Sequence, residues 1–325
     1  MARDEEAAKQ QQPATVKSGD TSFPRFERDG VYGSQHELQN YDVCLPRPLE
    51  ESSPERTVWV IFIHGGAWRD PSQDKSELQP ALSQLLACPD SLTLQCIAGF
   101  AAPNYGLSTH APDDESKPAG LRVRHDRHIA DVVLSLCHLR QKYNVGAEGG
   151  YRYVLVGHSA GATLAFQSVM RSSARSTLLP ASAVVGLAGI YDLPALVENH
   201  ADEPFYRKIV VDAFGEDESV WREASPTNAA YDRAWREGGL KTVILGASEG
   251  DVLVEKEQWQ EMQKTLEHQG WKTLRSEDEA RASSEQQKEI VLLRLEGTHD
   301  QIWRLGHGVR KSIELVISRL FPSKV

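Results

Sequence analysis

The chain is 325 residues long and 40% hydrophobic, with 46 acidic residues against 36 basic ones and a formal net charge of −10. That length suffices for one large core, and no basic stripe is interleaved with aromatics, which excludes nucleic acid and acidic membrane surfaces as natural partners. The four cysteines, Cys44, Cys88, Cys96 and Cys137, lack paired close spacing, and no apolar run has signal or spanning length, so free thiols in a reducing, cytoplasmic setting are expected, with a nuclear share left open.

Residues 1–22, rich in Gln, Lys, Asp and Ser, read as a flexible leader, and 23–325 as one domain. Tyr41–Leu49, closed by Pro46 and Pro48, predicts an edge strand. Val58–Ile63 is apolar at every position, which predicts a central strand covered on both faces. A helix over Glu77–Ala87 follows, then a second buried strand over Leu94–Phe100 and on into Ala101 and Ala102. Strand, helix, strand predicts a parallel pair with a right-handed crossover. A loop rich in Pro, Asp and Ser occupies Thr109–Gly120, and the helix His125–Tyr143 aligns Ile129, Val132, Leu136 and Leu139 on one face. A strand and a helix surround Ser159. A serine-rich connection then leads to the strand Ala183–Leu187. Residues 192–236 break the rhythm with Phe205, Tyr206, Phe214, Trp221, Tyr231 and Trp235 among charges, and read as a helical cap over the strand ends or as a packing layer. Lys241–Gly246 predicts a strand, Val254–His268 a helix, 271–288 a charged exposed insertion, and Ile290–Leu295 the last strand. A closing helix holds Ile302, Val309 and Ile313. Alternating units of this kind predict an α/β fold, a mostly parallel central sheet with helices on both faces.

Tyr153–Val156 leads into Gly157-His158-Ser159-Ala160-Gly161, and Ala162–Phe166 leave it in a helix-compatible pattern. A serine at the apex of a strand-to-helix turn needs Gly157 and Gly161, because side chains there would meet the neighbouring strand or helix. The turn presents the Ser159 hydroxyl and leaves the Ala160 N–H at a helix start, where developing negative charge is favoured. In a doubly wound sheet, sites lie beyond the carboxyl ends of the strands, and His64-Gly65-Gly66, Ser159, Asp251 and His299 all fall there. A serine needs a base, for which His299 is the candidate, and the base needs an acid to hold its tautomer. Asp251 is the candidate acid, with Glu249 and Asp192 in competition. The order Ser, Asp, His is that of the α/β-hydrolase triad. His158 reads as structural, Asp300 as a loop cap, and His125 with His128 as a helix-start pair without a third ligand, so no metal is expected. No phosphate-cradling or dinucleotide-binding loop occurs in proper strand context.

With the elbow, His299 and the glycine motif, the chain resembles the α/β-hydrolase superfamily over roughly residues 40–320. The stretch His64-Gly65-Gly66-Ala67-Trp68, with the Gly157–Leu164 elbow, is similar to the kynurenine formamidase (arylformamidase) family, in particular its fungal members. The resemblance implies an α/β-hydrolase fold and hydrolysis of N-formyl-L-kynurenine to L-kynurenine and formate, in tryptophan degradation toward nicotinamide cofactors. It implies no metal or organic cofactor, a small aromatic formamide as partner, and in some members a homodimer. It also implies Ser159 as nucleophile, Asp251 as acid and His299 as base, with an oxyanion hole from Gly65, Gly66 and Ala160. Asn104-Tyr105-Gly106-Leu107-Ser108 replaces the more usual Tyr-Arg-Leu, and the 271–288 insertion is long for the family. Trp68 reads as a wall of the site or as core packing. A carboxylesterase on small acyl esters would use the same residues, whereas a noncatalytic hydrolase-like binding protein would hold its acid and base apart.

Overall fold

A computed structural model describes residues 22–170, 179–232, 234, 239–274 and 288–322. Its strands are β1 (Arg25–Val31), β2 (Asn40–Leu45), β3 (Val58–Ile63), β4 (Ile97–Pro103), β5 (Arg152–His158), β6 (Ala183–Leu187), β7 (Thr242–Ser248), β8 (Lys272–Leu274) and β9 (Glu289–Leu295). They form one nine-stranded sheet in the order β1-β2-β4-β3-β5-β6-β7-β9-β8. β2 runs antiparallel to both β1 and β4, and every other neighbouring pair is parallel. The helices are α1 (Gln79–Leu86), α2 (Leu92–Gln95), α3 (Arg127–Tyr143), α4 (Ala160–Met170), α5 (Leu193–Asn199), α6 (Pro204–Phe214), α7 (Glu218–Ala224), α8 (Lys256–His268), α9 (Gln301–Arg304) and α10 (His307–Leu320). This is the α/β-hydrolase fold, with α5, α6 and α7 as a helical insertion between β6 and β7.

The unbroken apolar text of β3 follows from burial on both faces, because successive side chains of a strand point to opposite sides. Trp59, Ile61 and Ile63 join Leu155, Val243 and Leu245 in the layer under α3, α4 and the helical insertion. Val58, Val60 and Phe62 join Val154, Val156 and Ile244 in the layer under α1 and α10. All six β3 side chains are fully buried. At about 1.5–3 kcal/mol for each large apolar side chain, this strand alone anchors both layers.

Three expectations are corrected. Tyr41–Leu49 does not hold an edge strand. β2 lies inside β1, whose text Arg-Phe-Glu-Arg-Asp-Gly-Val is half-exposed throughout and so shows no apolar alternation. The strand expected from Leu94 begins at Ile97, because Ser91 caps a short turn of helix, α2, by accepting the Leu94 N–H. The segment 271–288 does not open as an exposed insertion: Trp271 is buried and Lys272–Leu274 forms the far edge of the sheet. Residues 1–21, 171–178, 275–287 and Trp235 lie outside the described residues. Among the described residues no disulfide is formed, and no helix is long and apolar enough to cross a membrane.

Candidate active site

Strand β5 ends at His158 and α4 begins at Ala160, so Ser159 alone makes the turn, at φ 53°. A non-glycine residue in this left-handed region is strained and persists only where its surroundings dictate it. Here they do. A Cβ on Gly157 would lie 2.3 Å from the Gly161 carbonyl oxygen, and one on Gly161 would lie 2.1 Å from that of Ile63. The Ser159 N–H donates to the Leu187 carbonyl at 2.9 Å, which ties the apex to β6.

His299 follows β9 and Asp251 follows β7, strands that are hydrogen-bonded neighbours. His299 Nδ1 and Asp251 Oδ2 are 2.7 Å apart, with both side chains buried. The other Asp251 oxygen accepts the N–H groups of Leu253 and Val254 at 2.9 and 3.1 Å, so the carboxylate is held by its own loop. The competing acids are occupied elsewhere. Asp192 caps α5 by accepting the Ala195 N–H, and Glu249 pairs with Arg294 on an exposed surface. Asp300 pairs with Arg304 at 3.1 Å. His158 is fully buried behind the elbow, and its Nε2–H donates to the His299 carbonyl at 3.2 Å. Burial and the neighbouring His299 hold its ring neutral, well below the ordinary histidine value.

The loop after β3 carries three successive residues in the left-handed region: Gly66 at φ 89°, Ala67 at 48° and Trp68 at 58°. The Gly65 N–H is committed, donating to the Glu77 carboxyl at 3.1 Å. Among the described residues the N–H groups of Gly66, Ala67 and Ala160 make no backbone hydrogen bond outside the helices and strands. Of the expected oxyanion donors Gly65, Gly66 and Ala160, the Gly65 N–H is thus engaged by Glu77. Tyr105 braces the loop from below: its hydroxyl donates to the carbonyls of His64 and Gly65 at 3.1 and 2.8 Å, and its ring stacks on His64 at 4.3 Å. Burial pushes the His64 ring down to about 4, so it is neutral.

Trp68 has no accessible surface and meets Phe214 edge-on at 5.0 Å, so it is core packing. His125 and His128 do not converge on a ligand: His125 packs against the Phe214 ring, while His128 is buried with Nε2 at 2.9 Å from the Ser108 hydroxyl. Among the described residues no group of three or more His, Cys, Asp or Glu is placed to hold a metal. A cavity of about 450 Å³ between β7, β9 and α8 touches Asp251 from behind, lined by Ala188, Ala247, Val254 and Trp259. Its lining includes neither Ser159 nor His299. Sequence reading passed over Glu77 as a helix start and read Tyr105 only as a departure from the family pattern. The available signal was a carboxylate four residues before Ala81, on the face that buries Leu78, Leu82 and Leu85.

Comparison with known proteins agrees with this architecture. Residues 60–315 match the alpha/beta hydrolase family. The kynurenine formamidase-like hydrolase fscH of Fusarium equiseti is 34% identical over 87% of this chain and 90% of its own length. Kynurenine formamidase avaC of Aspergillus versicolor is 33% identical over 82% and 91%. Among solved structures, esterase B of Lactobacillus rhamnosus superposes with a TM-score of 0.61 at 17% identity, covering 94% of this chain and 89% of that one, a likeness of fold alone. An elbow serine, a histidine–aspartate pair on adjacent strand ends and a match spanning most of the sheet lead to one conclusion: the chain belongs to the alpha/beta hydrolase family and is related to the fungal kynurenine formamidases.

Proposed function

We propose that this protein is a serine hydrolase that cleaves N-formyl-L-kynurenine to L-kynurenine and formate. The observation that carries the hydrolytic reading is the 2.7 Å contact of His299 Nδ1 with Asp251, taken together with the left-handed turn that holds Ser159 at φ 53°. The formamide reading rests on kinship with the two fungal relatives. Ser159 Oγ attacks the formyl carbonyl while His299 Nε2 takes its proton, and Asp251 stabilises the imidazolium that forms. The oxyanion is held by the N–H groups of Gly66 and Ala160, each worth about 3 kcal/mol in the transition state. His299 returns the proton to the aniline nitrogen as it leaves, and water releases formate from the serine. The helical insertion acts as the cap over the leaving group. A carboxylesterase on small acyl esters uses the same groups and is the second reading, supported by the likeness of fold to an esterase.

Steady-state turnover of N-formyl-L-kynurenine beside a short-chain aryl ester tests both. The expected outcome is a much larger kcat/KM for the formamide, falling at least about 10⁴-fold in Ser159→Ala. Preference for the ester would assign the carboxylesterase reading. Activity surviving in Ser159→Ala would overturn the mechanism.

A further inference from the structure

Glu77 is a carboxyl group with 1% of its surface exposed, lying directly behind the oxyanion loop and the nucleophile elbow, and the reaction as derived does not use it. Its Oε2 accepts the Gly65 N–H at 3.1 Å and lies 3.8 Å from His158 Nδ1. His158 Nε2 reaches the carbonyl of His299 at 3.2 Å. A continuous buried path thus runs from the oxyanion loop, through Glu77 and His158, to the backbone of the base. From this geometry we infer that Glu77 is a positioning residue, holding the Gly65–Gly66 loop in register with the loop of His299 across the back of the elbow. The inference rests on the hydrolase reading of that same site.

The chemistry of the pair fits this role. Because His158 Nε2 carries the hydrogen donated to His299, its Nδ1 is a bare acceptor, and within the described protein Nδ1 and Glu77 Oε1 are both buried without a hydrogen-bond partner. The 3.8 Å separation is an approach and not yet a hydrogen bond. Burial, with Asp300 and Asp74 nearby, pushes the Glu77 carboxyl up to about 8 against the opposing pull of the Gly65 N–H and Arg304. At neutral pH the group is therefore mostly a neutral acid, able to accept from Gly65 and offer its O–H toward His158. A charged carboxylate enclosed here would be costly. A neutral one serves as a hydrogen-bonded spacer. The fit is close on the other side too, since a Cβ on Gly65 would lie 2.9 Å from His158 Nδ1.

Three variants test the inference: Glu77→Gln, Glu77→Asp and Glu77→Leu. Each is assayed for kcat and KM on whichever of the two substrates the wild type turns over, with active sites counted by fluorophosphonate labelling of Ser159 and folding followed by thermal melting. Glu77→Gln keeps the side-chain length and an oxygen acceptor for the Gly65 N–H without a charge, and is expected to retain kcat within about threefold. Glu77→Leu leaves the buried Gly65 N–H without its acceptor and removes the polar spacer against His158, and is expected to lose about 100-fold in kcat per labelled site with KM nearly unchanged, the signature of a displaced oxyanion donor. Glu77→Asp draws the carboxyl back and is expected to lose about tenfold, so if the leucine variant does not fold, the contrast between Gln and Asp decides. Full kcat in Glu77→Asp or Glu77→Leu, or a Gln variant as impaired as either, overturns the inference. Failure of the underlying hydrolase reading is distinguishable, because it appears as activity in Ser159→Ala.

Discussion

Tyr105 gives one hydroxyl to two carbonyls, those of His64 and Gly65, and so fixes the peptide planes from which the Gly66 N–H emerges. Removing that hydroxyl in Tyr105→Phe is expected to cost about 1–2 kcal/mol of stability in urea denaturation, and about tenfold in kcat, because buried acceptors lose their donor and the loop loosens. An unchanged kcat with the full stability loss would confine Tyr105 to packing. Asp251 is the other residue whose effect separates cleanly. Asp251→Asn keeps the shape but presents the wrong hydrogen-bonding group to His299 Nδ1, and kcat is expected to fall about 10³–10⁴-fold with KM nearly constant. The nucleophile candidate, the base candidate and the glycine motif were legible as residues, because each sits at a strand end in a turn of special chemistry. Glu77 and Tyr105 were not, since their roles exist only through backbone groups brought to them from other strands.

The helical insertion meets the acid loop at a defined set of contacts. The ring of His200, just past α5, stacks on Tyr206 of α6 at 3.8 Å, and its Nε2 lies 3.0 Å from Glu255. The Tyr206 hydroxyl donates to the Leu253 carbonyl at 2.9 Å, two residues from Asp251. Glu255 also accepts from Asn199 and Gln258 at 3.1 and 2.8 Å, so α5, α8 and the acid loop share one carboxylate. Glu255→Ala is expected to lower stability by only about 1 kcal/mol, because the His200 pair is partly solvated, yet to reduce kcat/KM about tenfold by releasing the loop. Paired denaturation and kinetic measurements check this, and a stability loss without a kinetic one would make the contact a packing seam only. Helices and interior strands were readable as elements from apolar runs and periodicity. The two sheet edges were not: β1 is half-exposed and β8 is three residues long, so neither carries the burial pattern that marks a strand.

Across the whole molecule, the buried titratable groups shape its stability with pH in two opposed ways. Burial holds His64 at about 4, His128 at about 3 and His158 well below the ordinary value of 6.5. The unfolded chain therefore takes up their protons first, and the stability they allow is full above about 6.5 and is lost as pH falls toward 4. Glu77 behaves oppositely. Its carboxyl is raised from 4.5 to about 8, so its contribution is full below 4.5 and is lost as pH rises through 8. Urea midpoints measured from pH 4 to 9 are expected to peak between about pH 6 and 7, and Glu77→Gln is expected to flatten the alkaline limb while leaving the acid limb in place. An alkaline limb unchanged by that substitution would mean that Glu77 is ionised in the folded protein at neutral pH.

By itself, the sequence determined the α/β class and the central strands and singled out Ser159 and His299 as candidates with three acids in competition, because apolar periodicity and glycine-bounded turns are written locally. Tertiary structure decided which acid meets the candidate base, since Asp192, Glu249 and Asp251 all follow strands and among them Asp251 contacts His299. It also decided that Gly65 gives its N–H to Glu77, that Trp68 is core, and that Glu77 and His158 stand together behind the elbow. These outcomes depend on direction and distance between segments far apart in the chain, which residue type and spacing do not encode. Burial then gives each contact its weight, because a polar group enclosed by the sheet must find its partner there and nowhere else.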